Sequence, residues 1–379
     1  MEMMMNPIQR IVFGGLVSLI ATGTAFGHDP VIGHPGHDHS HEQDAAHAAD
    51  GPSHVLLLAK DHAKDKAKAA GEKTTGQGPM VFSWDRELTG AFPEAAKPHE
   101  PKMHGGFNED PETGIVYTGI PGYGLCSISA DLKTWKKLGD DKRLKDNIHG
   151  IVFFKHNGEK RIAVAQNGAQ KVLIVDLSGK VLQELGKPTG DEFKDQKINN
   201  YYKGKRANFK VTDVTYHDGR LYAVTGYSNG DFVLTAHEKE GKWAWGPIAW
   251  GGRGKKPGQF RTAHGVYAHE GHIYVANREA HQVVKFTAEG KFVETLPDIP
   301  KGSRVCNVAF ENGYFFFCPL KKIGKQASAP IYAHTGEKLV STIIPGELGI
   351  PVLNNIHHAW PHEVTNADGS KQLYLLVHG

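Results

Sequence analysis

Four histidines recur at comparable places in this chain of 379 residues: His104, His149, His264 and His362, each at the start of a short strand-like run. Imidazole is the commonest protein ligand for a catalytic transition metal, because its neutral form offers a nitrogen lone pair near physiological pH. His149, His264 and His362 stand 115 and 98 residues apart, a spacing that a closed ring of repeats would fold onto one centre. Three imidazoles on one ion leave a coordination position open for a substrate oxygen, and the ion lowers the pKa of whatever binds there.

The elements that must position these residues are repeats. The clearest unit runs from Pro257 to Leu296, where the apolar runs GVYA, HIYVA, QVVKF and KFVETL are separated by polar turns such as HEG and AEG. Such spacing predicts a four-stranded antiparallel meander. Relatives of this unit begin at His104, His149, Thr212, Cys306 and Pro361. Histidine holds the marker position in four units, Asp213 holds it in the third and Asn307 in the fifth. The last unit stops after two strands at Gly379, and the segment Pro79 to Phe92, PMVFSWDRELTGAF, is expected to supply its outer strands. Joining the chain's two ends in one blade removes the free edge. The expected fold is all-β, a six-bladed β-propeller over residues 79–379.

The composition suits one closed repeat domain: 45 Gly, 20 Pro, 22 % charged residues and a mean hydropathy of −0.41. The net charge of +3, scattered lysines and no aromatic–basic interleaving leave no footprint for a nucleic-acid partner. No apolar run after residue 30 approaches a membrane span. Residues 1–27 read as a signal peptide: Arg10 precedes the apolar stretch Ile11 to Ala21, with small residues Ala25 and Gly27 before His28. The protein is therefore expected to be exported, to a periplasm or the extracellular space, and to act as a monomer.

Residues 28–78 have another character. The string HDPVIGHPGHDHSHEQDAAHAAD leads into AKDHAKDKAKAAGEK, and disorder is the expectation, with at most a short helix around Ser53 to Ala70. His28, His34, His37, His39, His41 and His47 offer loose chelation of zinc, copper or nickel, or do nothing specific. Cys306 and Cys318 flank NVAFENGYFFF, whose midpoint is a turn, so a disulfide across one hairpin is expected. Cys126 is left as a buried thiol.

The unit at Pro257 resembles NHL repeats. Several strings are also similar to those of the peptidyl-α-hydroxyglycine α-amidating lyases, which are six-bladed propellers: NIHGIVFF, TDVTYHDGRLYAVTGYSNGDFV, KPGQFRTAHGVYAHEGHIYVANREAHQVVKF and WPHEV, in that order. The resemblance implies zinc held by His149, His264 and His362, Tyr227 as the catalytic base and Arg278 as an active-site arginine. In that family a C–N bond of a small peptide-derived carbinolamide is cleaved at the propeller mouth.

The departures are specific. The first blade, GIVYTGIPGYGLCS, lacks the arginine that holds the substrate carboxylate in that family, Trp360 replaces a methionine, and Glu363 replaces an aspartate that helps bind calcium. His104 is an addition, either a fourth ligand or a proton shuttle. Asp213 is placed to orient a ligand histidine or to cap a strand. His357 and His358 lie before the Trp-Pro-His string, to extend the polar rim or to substitute as ligands; Tyr201 and Tyr202 sit in a long insertion that could form a lid. Two further functions stay open. One is a non-enzymatic propeller binding a small molecule, peptide or partner protein; the other is a four-histidine iron site for oxygen chemistry, as in the seven-bladed carotenoid oxygenases. Zinc is the expected metal, calcium at Glu363 a further candidate, and iron and copper remain open.

Overall fold

The computed structural model describes residues 52–60, 72–350 and 353–379; residues 1–27, read as a signal peptide, and the histidines from His28 to His47 lie outside them. Local chemistry sets the hairpins. Four blades join their first and second strands through two-residue turns at Asn157-Gly158, Asp218-Gly219, Glu270-Gly271 and Asn312-Gly313, with φ positive at both positions of each. Such turns match the natural twist of the paired strands, and their second position is glycine each time because a side chain resists that conformation.

Each turn seeds an antiparallel meander. Blade 1 comprises Phe107–Glu109, Val116–Ile120, Gly124–Ile128 and Trp135–Leu138, and blade 2 Ile148–His156, Glu159–Gln166, Lys171–Val175 and Val181–Leu185. Blade 3 comprises Asp213–His217, Arg220–Val224, Phe232–Lys239 and Lys242–Gly251, and blade 4 Ala263–His269, His272–Asn277, Gln282–Thr287 and Phe292–Thr295. Blade 5 comprises Val305–Glu311, Tyr314–Pro319, Ile331–His334 and Leu339–Ile343, and blade 6 opens with His358–Thr365 and Lys371–His378. The first strand of each blade touches the first strand of the next, and the sixth returns to the first. The fold is a six-bladed β-propeller, as the repeats predict.

Both faces of a blade are buried against neighbours, so its strands are apolar without alternation. In the first strand of blade 2, Ile151 and Phe153 pack toward Tyr117, Leu125 and Leu138 of blade 1, while Val152 and Phe154 pack toward Val214 and Leu221 of blade 3.

Ring closure uses more of the N-terminal region than expected. Blade 6 is five-stranded, and its third strand is His54–Ala59, paired with Lys371–His378 on one side and Met80–Asp85 on the other; Thr75–Gln77 adds the outer edge. The run VLLLA is therefore a strand, not part of a helix or a disordered linker. Val55 and Leu57 pack in the core shared with blade 5, and Leu56 in the core shared with blade 1. Its start is pinned by Glu100, whose Oε1 accepts from Ser53 N at 2.9 Å and pairs with His54 Nδ1 at 2.8 Å. After Asp85 the expected strand segment turns into a short helix, Arg86–Gly90, capped by the Asp85 carboxylate on Leu88 N.

The insertion carrying Tyr201 and Tyr202, read as an exposed loop that could form a lid, is instead a helix, Gln196–Lys203, whose Ile198 and Tyr202 are buried in the core between blades 2 and 3. Tyr201 donates its hydroxyl to Asn208. An aromatic committed to the core cannot swing over a mouth.

Candidate functional site

Bulges aim the key side chains. In blade 2 the pairing of the first two strands slips between Ile148 and Gly150, leaving His149 as the extra residue; in blade 4 it slips between Ala263 and Gly265, leaving His264. A bulged residue is turned out of the ladder and re-aimed, here into the ring's centre. Blade 5 repeats the device between Val305 and Asn307, with Cys306 as the extra residue. The blade equivalents of His149 and His264 are therefore Thr212 and Cys306, not Asp213 and Asn307, which fall one residue later.

The later residues brace the ring. Asp213 accepts from Val214 N at 2.8 Å and from Val266 N of blade 4 at 2.9 Å, and Asn307 bonds both the amide and the carbonyl of Ala359 in blade 6. They fit because blades 2 and 4 carry glycine there: a Cβ on Gly150 would stand 2.2 Å from Asp213 Oδ1, and one on Gly265 2.4 Å from the Cys306 carbonyl. Burial pushes the Asp213 carboxyl up to about 7 against those two amide bonds. It bonds no histidine directly and acts by fixing the strand that carries His264.

The imidazoles are oriented by carbonyls. His149 Nδ1 donates to Thr212 O at 2.6 Å and His264 Nδ1 to Cys306 O at 2.8 Å. A carbonyl only accepts, so each proton sits on Nδ1 and each Nε2 presents a lone pair. Both lone pairs meet one atom, the Tyr227 hydroxyl, at 3.3 Å from His149 and 3.1 Å from His264. Arg278 Nη1 donates to the same oxygen at 3.0 Å and is itself held by Glu279, which also binds Arg304. The single phenolic proton can be donated to only one of these two nitrogens at a time.

Two further histidines complete the cluster. The His104 ring lies 4.6 Å from that of His149 and 3.8 Å from that of His357, and the His357 ring lies 5.9 Å from that of His264. His357 Nδ1 is buried without a hydrogen-bond partner. Burial first, then the neighbouring Arg278 and His149 for His264 and the neighbouring His104 and His264 for His357, hold both well below the ordinary imidazole pKa. Tyr227 is raised by burial, with Arg278 opposing. The cavity among these residues measures about 10 Å³, roughly the room of one water-sized sphere.

His362 is not in this cluster. Its Nδ1 contacts Glu109 Oε2 at 2.7 Å and its Nε2 contacts Ala130 O at 2.8 Å. Both partners are acceptors, so both nitrogens carry protons; burial resists that charge, but these bonds outweigh it and raise the pKa. An imidazolium has no lone pair for a metal. His357, five residues earlier, takes the place expected of His362. His358 lines the same cavity, accepts from Phe107 N through Nδ1 and is pushed down to about 3 by burial. Glu363 is paired with Lys371 at 2.6 Å and with Asn312.

The expected disulfide is absent: Cys126, Cys306 and Cys318 are all buried free thiols. The bulge is the reason, since Cys318 lies opposite Asn307 and bonds its Oδ1 at 2.6 Å. Among the described residues, no group of three or more His, Cys, Asp or Glu side chains is drawn together as around a bound metal. The donor set nevertheless fits such an ion: neutral imidazoles with Nε2 directed inward, an orphaned Nδ1 on His357, and an ion-sized space.

Residues 260–286, the first three strands of blade 4, match the NHL repeat. The chain is a six-bladed propeller with one NHL-repeat match, in blade 4. Solved structures similar to this propeller include a chain in the crystal structure of a nidogen/laminin complex, at 12 % identity and a TM-score of 0.46, over 81 % of this chain and 97 % of that one. No curated protein matches. No helix of the described residues is long and apolar enough to cross a membrane.

Proposed function

We propose that this NHL propeller is an exported metal-binding protein whose central mouth holds one transition-metal ion, zinc first among candidates. The observation that supports it is the convergence of the His149 and His264 Nε2 lone pairs on one point, with His104 and His357 packed against them. Those four imidazoles would hold the ion; His362 would not. Bound zinc supplies Lewis acidity, lowering the pKa of an oxygen that it contacts. Tyr227, touching both histidines, is the group placed to take a proton, and Arg278 favours its anionic form.

Lyase-like C–N cleavage is the catalytic version of this reading, supported by the contact of Tyr227 with both histidines and by the hydrogen bond of Arg278 to Tyr227. A non-catalytic binding propeller is the second version, favoured by the small size of the cavity, which admits an ion and no organic substrate without movement.

The test is zinc content of the full chain with the six tail histidines changed to serine. One ion per chain, lost in His149→Ala and in His264→Ala but kept in His362→Gln, is the expected result. An unmetallated chain with folded variants would sink the proposal. Tyr227→Phe should retain the ion; it should abolish turnover if the site is catalytic, by roughly 10²–10⁴-fold for a lost general base.

A further inference from the structure

A second cavity, of about 280 Å³, opens beside the mouth on blade 4, lined by the loop from Gly254 to Arg261 and by the adjoining ends of the outer strands. The ladder aligns Ala263, Asn277 and Gln282, so the cavity lies at the same end of the blade as His264. Lys255, Lys256 and Arg261 line it together with Gln259, Gln282 and Asn277, and no aspartate or glutamate does. The nearby acids are engaged elsewhere: Glu279 with Arg278 and Arg304, and Glu294 with Lys285. Three cations thus share one concavity in a chain whose net charge is only +3, where their mutual repulsion is unrelieved by any lining carboxylate.

The loop that carries them is built, not loose. Gln259 N bonds Lys256 O at 2.9 Å around Pro257 and Gly258, whose φ of +79° makes this a type II turn. Gly254 N bonds Phe260 O, Phe260 N bonds Gly252 O, and the Phe260 ring is fully buried beneath. Lysines on a fixed turn lose less freedom on binding than lysines on a mobile one.

We propose that this cavity binds a small multivalent oxyanion, a phosphate or a polycarboxylate, through Lys255, Lys256 and Arg261. Converging cations and amide donors recognise clustered anionic oxygens, and arginine offers a paired set of N–H groups to them. The volume is below the ~300–1,000 Å³ usual for small-molecule sites, which limits the ligand to a few heavy atoms beyond its charged groups. The residues lining this cavity include none of those lining the mouth around the histidines.

Titration calorimetry of the full chain at low ionic strength tests it, with inorganic phosphate and citrate as separate probes, after metal has been stripped with a chelator and the chelator dialysed away so that neither metal nor chelator occupies the anion site. Saturable one-to-one binding of at least one probe is expected, weakened about tenfold or more in Lys255→Gln/Lys256→Gln and in Arg261→Gln, since each charge-assisted hydrogen bond contributes about that factor. Phosphate alone would mark a phosphoryl site and citrate alone a carboxylate site. Lys136→Gln, an exposed lysine of blade 1, should bind as the parent does. The three cavity side chains are exposed, so the variants should melt like the parent. Absence of saturation by both probes would overturn the proposal, as would an equal loss in Lys136→Gln.

Discussion

A histidine's role here is decided by what its second nitrogen touches. His149 and His264 each spend Nδ1 on a carbonyl and turn Nε2 inward, whereas His362 spends both nitrogens on acceptors. Sequence shows the residue type and not the tautomer, which is why His149, His264 and Tyr227 were legible as neighbours while His362 looked equivalent to them. The chemistry of His362 has a measurable consequence. Its native pKa lies above the ordinary value, so protonation contributes stability that is fully present below about pH 6.5, the unfolded value, and is lost as pH rises through the raised native value. His362→Gln should therefore be less stable than the parent by about 1.5–3 kcal/mol at pH 5.5, the worth of a hydrogen bond to a charged group. The gap should narrow toward pH 9 in urea melts. A gap independent of pH would mean that His362 is neutral.

At the level of elements, the bulge is what the sequence conceals. Because side chains alternate along a strand, one extra residue moves every later side chain to the other face, so an alignment without gaps equated His149 with Asp213 and His264 with Asn307. A local signal was present: His-Gly recurs at His104-Gly105, His149-Gly150 and His264-Gly265, and the glycine is needed where Asp213 or Cys306 of the next blade crowds in. Gly150→Ala should lower stability by about 1–3 kcal/mol as an overpacked contact, and should weaken zinc binding by displacing His149. In an Asp213→Gly background the same substitution should cost less, with a coupling of about 0.5–3 kcal/mol between contacting sites. Equal costs in both backgrounds, measured by chemical denaturation, would show that the two residues do not press on each other. The same bulge explains the unformed disulfide, since Cys306 leaves the ladder where Cys318 meets Asn307.

For the whole molecule, closure is the step that repeats alone could not specify. Six meanders were readable from turn spacing, and so was the need for N-terminal strands in the last blade. The run VLLLA was not assigned to it, because a short apolar run is compatible with either helix or strand, and its neighbour AKDHAKDKAKAA favours helix. Tertiary pairing overrides that preference: His54–Ala59 sits between two strands with Val55 and Leu57 fully buried. Leu57→Ala should cost about 2–5 kcal/mol, as for other buried leucines. Deletion of residues 1–50 should leave the melting temperature unchanged. Deletion of residues 1–60 removes the third strand of blade 6 and bares the edges of Lys371–His378 and Met80–Asp85, and unpaired edges template association. The longer deletion should therefore melt earlier and elute as oligomers in size-exclusion chromatography, while the shorter one stays with the parent. If both deletions behaved alike, the propeller would be held closed by Met80–Asp85 alone, and His54–Ala59 would be an ornament of the ring instead of its clasp.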